Sequence, residues 1–135
     1  MGSSPLIVDS SALIAVIRDE PDSAQLVALI AAGSARVSAA TLLESSIVLT
    51  RSLHAELDSL IRGSGMEVVP FDAEQAVVAR AAHTTYGRGS GSKARLNLGD
   101  CFSYALAKVT GEPLLFKGED FRHTDIEPAY IQHHE

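Results

Sequence analysis

The chain has a single cysteine, no tryptophan and few aromatic residues, which make up 5% of its 135 positions. Cys101 has no intramolecular partner, so no disulfide framework holds the fold, and such usage suits a reducing compartment. No apolar run approaches the roughly 20 residues of a membrane-spanning helix, and no basic, signal-like start precedes Leu6. No membrane association is therefore expected, and the cytoplasm is the expected location. Positive charge is scarce too: 11 Lys and Arg against 17 Asp and Glu leave a formal net charge of −6. Polyanion binding normally calls for a basic surface. Either the partner is not a polyanion, or the acids gather where a divalent cation offsets them. What the chain does have is apolar residues at 46%, dominated by Ala, Leu, Ile and Val, with 21% charged. That composition excludes global disorder and suffices for one domain with one core.

Leu6-Ile7-Val8 reads as a buried strand ending at Asp9, with Ser10 or Ser11 able to cap a helix carrying Leu13, Ile14 and Ile17. Pro21-Asp22-Ser23 starts a second helix that Gly33 ends. Residues 35–38 form a second strand. Residues 40–51 and 53–62 have helical patterning, the latter stopped by Gly63 and Gly65. Met66 to Val69 is a third strand, and Asp72 opens an alanine-rich helix to about Tyr86. Residues 87–99 hold four glycines and two serines with Arg88, Lys93 and Arg95, a flexible basic loop. A helix from Asp100 to Thr110 carries Phe102, Ala105, Leu106 and Val109 at core spacing. It is followed by the strand Leu114-Leu115-Phe116 and a less regular ending, with an edge strand around Tyr130-Ile131 and a flexible tail at about 131–135 that includes His133 and His134. Strands alternating with helices predict a single α/β domain, an α/β/α sandwich whose central sheet is mostly parallel and flanked by helices. In such sheets the functional crevice lies beyond the carboxyl ends of the strands.

Three acids stand out against apolar surroundings. Asp9 is the only charged residue before Arg18 and falls where a strand meets a helix. It can serve as an N-cap, but Ser10 and Ser11 cap equally well without a buried charge to compensate. Glu44 is the only ionisable residue from Val37 to Thr50, beside an apolar stripe. Its structural alternative is an ion pair with Arg51. Asp100 is the only strongly charged residue from Leu96 to Ala107 and sits at a helix start, where the dipole favours an anion. A fourth acid lies within 117–125, where Glu119, Asp120 and Asp125 compete and spacing does not choose between Glu119 and Asp120. Asp125 is either a supporting acid or a partner of Arg122. Converging carboxylates repel unless protonated or bound to cations. All-oxygen ligation without a His/Cys cluster suits Mg2+ or Mn2+ rather than zinc. Such an ion can activate water for attack on phosphorus with no nucleophilic side chain.

The segments LIVDSSALIAVIRDEP, SAATLLESSIVL, LNLGDCFSYALA and PLLFKGEDFRHTDI, in this order, resemble PIN-domain nucleases and, among them, the VapC toxins of bacterial toxin–antitoxin systems. The resemblance spans nearly the whole chain. It implies a PIN-like fold with Asp9, Glu44, Asp100 and Asp120 as catalytic and metal-binding acids, favouring Asp120 over Glu119, and Ser11 as the small hydroxyl residue beside the first acid. Where the family often has Thr or Asn, this chain has Lys117 and Gly118. The resemblance further implies a Mg2+- or Mn2+-dependent endoribonuclease, a homodimer, and inhibition by a cognate VapB-type antitoxin.

Asn97 is a candidate for orienting Asp100 or a metal-held water. Arg88, Lys93 and Arg95 are candidates for gripping the RNA backbone, and Tyr86 and Tyr104 for stacking on a base. Two other readings compete. One is a non-catalytic RNA-binding module of the same fold. The other is an aspartyl-phosphate phosphatase using Asp9, which requires an acid where Ser11 stands.

Overall fold

The computed structural model describes residues 4–130. Four strands, β1 (Leu6–Val8), β2 (Ala35–Ser38), β3 (Glu67–Val69) and β4 (Leu114–Leu115), form one sheet in the order β3-β2-β1-β4. Every pairing is parallel: Leu6 aligns with Ala35, Ile7 with Leu114 and Val37 with Val68. The helices are α1 (Ser10–Ile17), α2 (Ser23–Ala31), α3 (Ala39–Val48), α4 (His54–Ser64), α5 (Ala73–Tyr86) and α6 (Leu98–Thr110), with a short 3-10 turn at Arg51–Leu53.

Alternation along the strands divides the core into two halves. Leu6 and Val8 join Leu13, Leu26, Ile30, Val37, Leu57 and Leu115 on one face of the sheet. Ile7 and Leu114 join Leu96, Tyr104, Leu106, Phe116 and Phe121 on the other. This is the expected sandwich: α1, α2 and α4 cover one side, α5 and α6 the other. A fully buried Leu, Ile or Phe contributes roughly 1.5–3 kcal/mol, and this apolar investment lets the sheet carry a carboxylate at the end of its central strand.

Several boundaries differ from expectation for local reasons. Asp9, rather than Ser10 or Ser11, caps α1, its carboxylate accepting from the Ser11 N–H. Gly63 stays inside α4, and the stop is Gly65 in the left-handed region at φ 69°. The last long helix begins at Leu98, two residues before Asp100, because Asn97 is its cap and Asp100 closes a capping box. The basic loop is therefore shorter, and its base is clamped by a bridge between Gly87 and Leu96 with Ala94 and Leu96 buried beneath it. The expected edge strand reduces to a parallel bridge between Leu114 and Pro128. Ile131, His133, His134 and the expected tail lie outside the described residues.

Chain order places the crevice. From β1 the sheet grows one way through β2 and β3, and the other way through β4, so the order reverses between β1 and β4. Asp9 follows β1 and residues 116–120 follow β4, at the carboxyl ends where this reversal opens a cleft.

Candidate active site

Asp9 is 2% exposed at the end of β1. Both of its oxygens have donors: Oδ2 accepts from the Ser11 N–H at 3.0 Å and the Ser11 hydroxyl at 2.6 Å, and Oδ1 accepts from the Ser103 hydroxyl at 2.5 Å. Burial nevertheless holds its carboxyl above the ordinary carboxylate range, against the opposing pull of Ser103 and Ser11. Ser11 also accepts from the Lys117 N–H at 2.9 Å. One hydroxyl thereby ties the end of β1 to the segment leaving β4.

Glu44 lies on the second turn of α3. Its carboxyl is raised by burial and by the charge of Asp9, while the Ser10 hydroxyl bonds it and opposes the rise. Ser10, not the exposed Arg51, is thus its partner. Oε1 is buried without a hydrogen-bond partner. The carboxylate presses on the first turn of α6 so closely that a β-carbon at position 99 would stand 1.7 Å from Oε2. Gly99 is needed there for space.

Asp100 is the third residue of α6. Its Oδ2 accepts from the Asn97 N–H at 3.0 Å while the Asn97 side chain accepts from the Asp100 N–H at 2.9 Å. Asn97, the candidate for orienting this acid, thus bonds one of its oxygens through the backbone N–H. Burial pushes the Asp100 carboxyl up to about 8, helped by the charges of Asp9 and Asp120 and by a hydrogen bond with Asp120. Glu119 pairs with Arg122 at 2.9 Å and is 65% exposed. Of the competing acids, then, Asp120 joins Asp100. Asp125 pairs neither with this group nor with Arg122. It accepts from the Tyr104 hydroxyl and Lys108, each at 2.6 Å.

Four acids from four segments therefore share one electrostatic field at the mouth of the crevice. The donors there are all oxygen, three of the carboxyls hold protons too tightly for their type, and one buried oxygen lacks a partner. This chemistry fits a hard divalent cation. Among the described residues no three His, Cys, Asp or Glu side chains already stand together in ligating geometry. Mg2+ keeps several waters and takes only one or two carboxylates directly, so an open array of this kind suits it.

The model of the PIN domain matches residues 6–127. The chain belongs to the PIN-domain family, among its VapC ribonucleases. Ribonuclease VapC42 of Mycobacterium tuberculosis is 48% identical over 129 residues, covering 92% of this chain and 98% of that protein. Ribonuclease VapC of Mycolicibacterium smegmatis is 46% identical over 126 residues, covering 90% and 97%. Among solved structures, VapC20 of Mycobacterium tuberculosis, described as a sarcin–ricin loop cleaving toxin, superposes with a TM-score of 0.72 at 16% identity, covering 90% of this chain and 95% of that one. A toxin–antitoxin complex from Klebsiella pneumoniae gives 0.65 at 21% identity, covering 88% and 90%. These two likenesses establish the PIN fold.

In this PIN domain the basic loop shares a cleft with one of the four acids, Asp120. Arg88, Lys93 and Arg95 line an open cleft of about 800 Å3 together with Glu119, Asp120 and His123. Arg95 sits at φ 53°, a left-handed conformation uncommon for a bulky residue. The tyrosines considered for base stacking face inward: Tyr104 is 5% exposed, and its ring centroid lies 5.9 Å from that of Tyr86. The sequence reading missed the hydroxyls of Ser10, Ser103 and Thr41, and His123 in the cleft. Serines inside apolar helices give no periodic signal; the only available hint was a Ser three residues after a suspect Asp, one turn along the same face.

Proposed function

We propose that this VapC-family chain is a Mg2+- or Mn2+-dependent endoribonuclease, the toxin of a VapBC-type pair. The observation that carries this reading is the convergence of Asp9, Glu44, Asp100 and Asp120 beside a cleft lined with cations. When bound there, the divalent ion supplies an activated water for in-line attack on phosphorus and offsets charge on the leaving oxygen. Asp9 and Asp100, the two most buried of these acids, would hold the ion directly, and Glu44 and Asp120 would bind its waters. Arg88, Lys93 and Arg95 bind the flanking RNA phosphates and bring the strand across the acids.

The side chains nearby offer no competing nucleophile. The Cys101 thiol is buried, and burial together with the Asp100 charge pushes it up to about 11, so it stays protonated at neutral pH. Ser11, where a phosphatase of the aspartyl-phosphate type needs an acid, is already spent on Asp9. A non-catalytic RNA binder has no use for carboxylates buried at this cost.

A VapB-type antitoxin and a second copy of the chain are the proposed protein partners, with the cytoplasm as the compartment. Leu43, Ile47 and Leu98, 63–74% exposed, form apolar surface of the kind partners cover. No helix among the described residues is long and apolar enough to cross a membrane. The test is incubation of total cellular RNA with the purified protein in Mg2+, in Mn2+ and in EDTA. Discrete fragments are expected with either ion and none with EDTA; equal cleavage in EDTA refutes the metal dependence.

A further inference from the structure

Ser103 and Thr41 are both fully buried, at 0% exposure, and neither is one of the four acids. Ser103 lies one turn after Asp100 on α6, and Thr41 lies one turn before Glu44 on α3. Their hydroxyl oxygens are 3.2 Å apart, and Ser103 donates to Asp9 Oδ1 at 2.5 Å. A hydroxyl has one proton to give, and an ionised carboxylate only accepts. The Ser103 proton therefore goes to Asp9, and Ser103 receives the proton of Thr41. With Asp9 ionised, as it would be against a cation, the order runs Thr41 to Ser103 to Asp9. With Ser11 holding Oδ2 from the opposite side, the plane of the Asp9 carboxylate is pinned at both oxygens.

We propose that Ser103, backed by Thr41, is a positioning residue that presents Asp9 to the catalytic cation and couples the helices carrying Asp100 and Glu44 to it. The proposal rests on the metal-dependent reading above. Groups that orient a ligand carboxylate from outside the coordination sphere typically change metal affinity or activity 10- to 100-fold when removed. A purely structural pair of buried hydroxyls has no such effect on the ion. Ser45 is the internal comparison. It is as buried as Ser103 and lies on α3 with Thr41, but its hydroxyl donates at 2.8 Å to the Thr41 backbone carbonyl of its own helix rather than to a carboxylate.

The experiment is Mn2+ titration of the full chain by calorimetry and by electron paramagnetic resonance, for wild type, Asp9→Asn, Ser103→Ala, Thr41→Val and Ser45→Ala. Each folded state is checked by circular dichroism. Wild type is expected to bind Mn2+ and Asp9→Asn to lose it. Ser103→Ala is expected to bind 10- to 100-fold more weakly. The near-isosteric Thr41→Val should bind several-fold more weakly, and Ser45→Ala should match wild type. If Ser103→Ala does not fold, Thr41→Val decides the matter alone. Wild-type affinity in folded Ser103→Ala or in Thr41→Val overturns the positioning role while leaving the metal site intact, and so does an equal loss in Ser45→Ala. Absence of Mn2+ binding by wild type, or retention by Asp9→Asn, overturns the metal-dependent reading, and this proposal with it.

Discussion

Replacing Asp100 by Asn should stabilise the fold while removing the proposed chemistry, and the stabilisation should grow with pH. Asp100 is 7% exposed, and burial, Asp9 and Asp120 together hold its carboxyl at about 8 against an ordinary 3.8. The unfolded chain gives up this proton above pH 3.8, whereas the folded chain keeps it until about pH 8. Between those limits the folded state binds more protons, so the stability this group confers is complete at low pH and is lost as pH rises through the window. At about 1.4 kcal/mol per tenfold change in proton affinity, the full loss has a ceiling of roughly 5–6 kcal/mol. Water entry and side-chain relaxation lower it, and we expect roughly 1–3 kcal/mol. Asn is nearly isosteric and keeps an oxygen to accept the Asn97 N–H, so the capping box survives. For a chain of this length that gain corresponds to roughly 4–11 °C in Tm. Thermal melts by circular dichroism in EDTA at pH 5 and pH 8 read it directly. The gap between Asp100→Asn and wild type should be small at pH 5 and widest at pH 8. A variant that melts at or below wild type at pH 8, or a gap that does not widen, refutes the claim that this carboxylate is buried against its own charge.

Gly99→Ala puts a β-carbon into the Glu44 carboxylate. It should cost roughly 1–3 kcal/mol in urea unfolding and lower RNA cleavage at least tenfold, whereas unchanged activity would show that the Glu44 position is immaterial. Replacing Arg88, Lys93 and Arg95 together by Ala should flatten the salt dependence of RNA binding. At about 0.7 per phosphate contact on a single strand, the slope of log K against log salt should fall by about 2, and a parallel shift with no change of slope would place the RNA elsewhere. Tyr104→Phe removes the bond to Asp125, which that hydroxyl and Lys108 hold below its ordinary range even though burial pushes it up. It should cost about 1–2 kcal/mol, measured by denaturant midpoint, and a midpoint within error of wild type contradicts it.

The acids most legible in the sequence were those whose apolar surroundings offered no other reason for charge. Asp9 and Glu44 were visible that way, and the alternation of short apolar runs with helical patterns was enough for a parallel sandwich. Asp100 was placed at a helix start with Asn97 as a candidate to orient it, but the start was set two residues late, because the glycines on either side masked the local capping box that the pair forms. Asp120 could not be told from Glu119 by spacing; the structure separates them because Arg122 takes Glu119 within one turn. The link of Asp125 to Tyr104 and Lys108 joins positions 17 and 21 residues apart, beyond the reach of local pattern. The clamp under the basic loop was hidden for the same reason: it depends on Ala94 and Leu96 finding the second core, whereas glycine content alone signals freedom.

Four carboxylates acting as one cation site for cutting RNA should fail together when any one loses its charge. Cleavage of total RNA in Mg2+ by the amide series Asp9→Asn, Glu44→Gln, Asp100→Asn and Asp120→Asn, each checked as folded, measures this. Wild type should produce discrete fragments, and each of the four amide variants should lose at least tenfold in rate. Cleavage at the wild-type rate by folded Asp9→Asn or Asp100→Asn would contradict it.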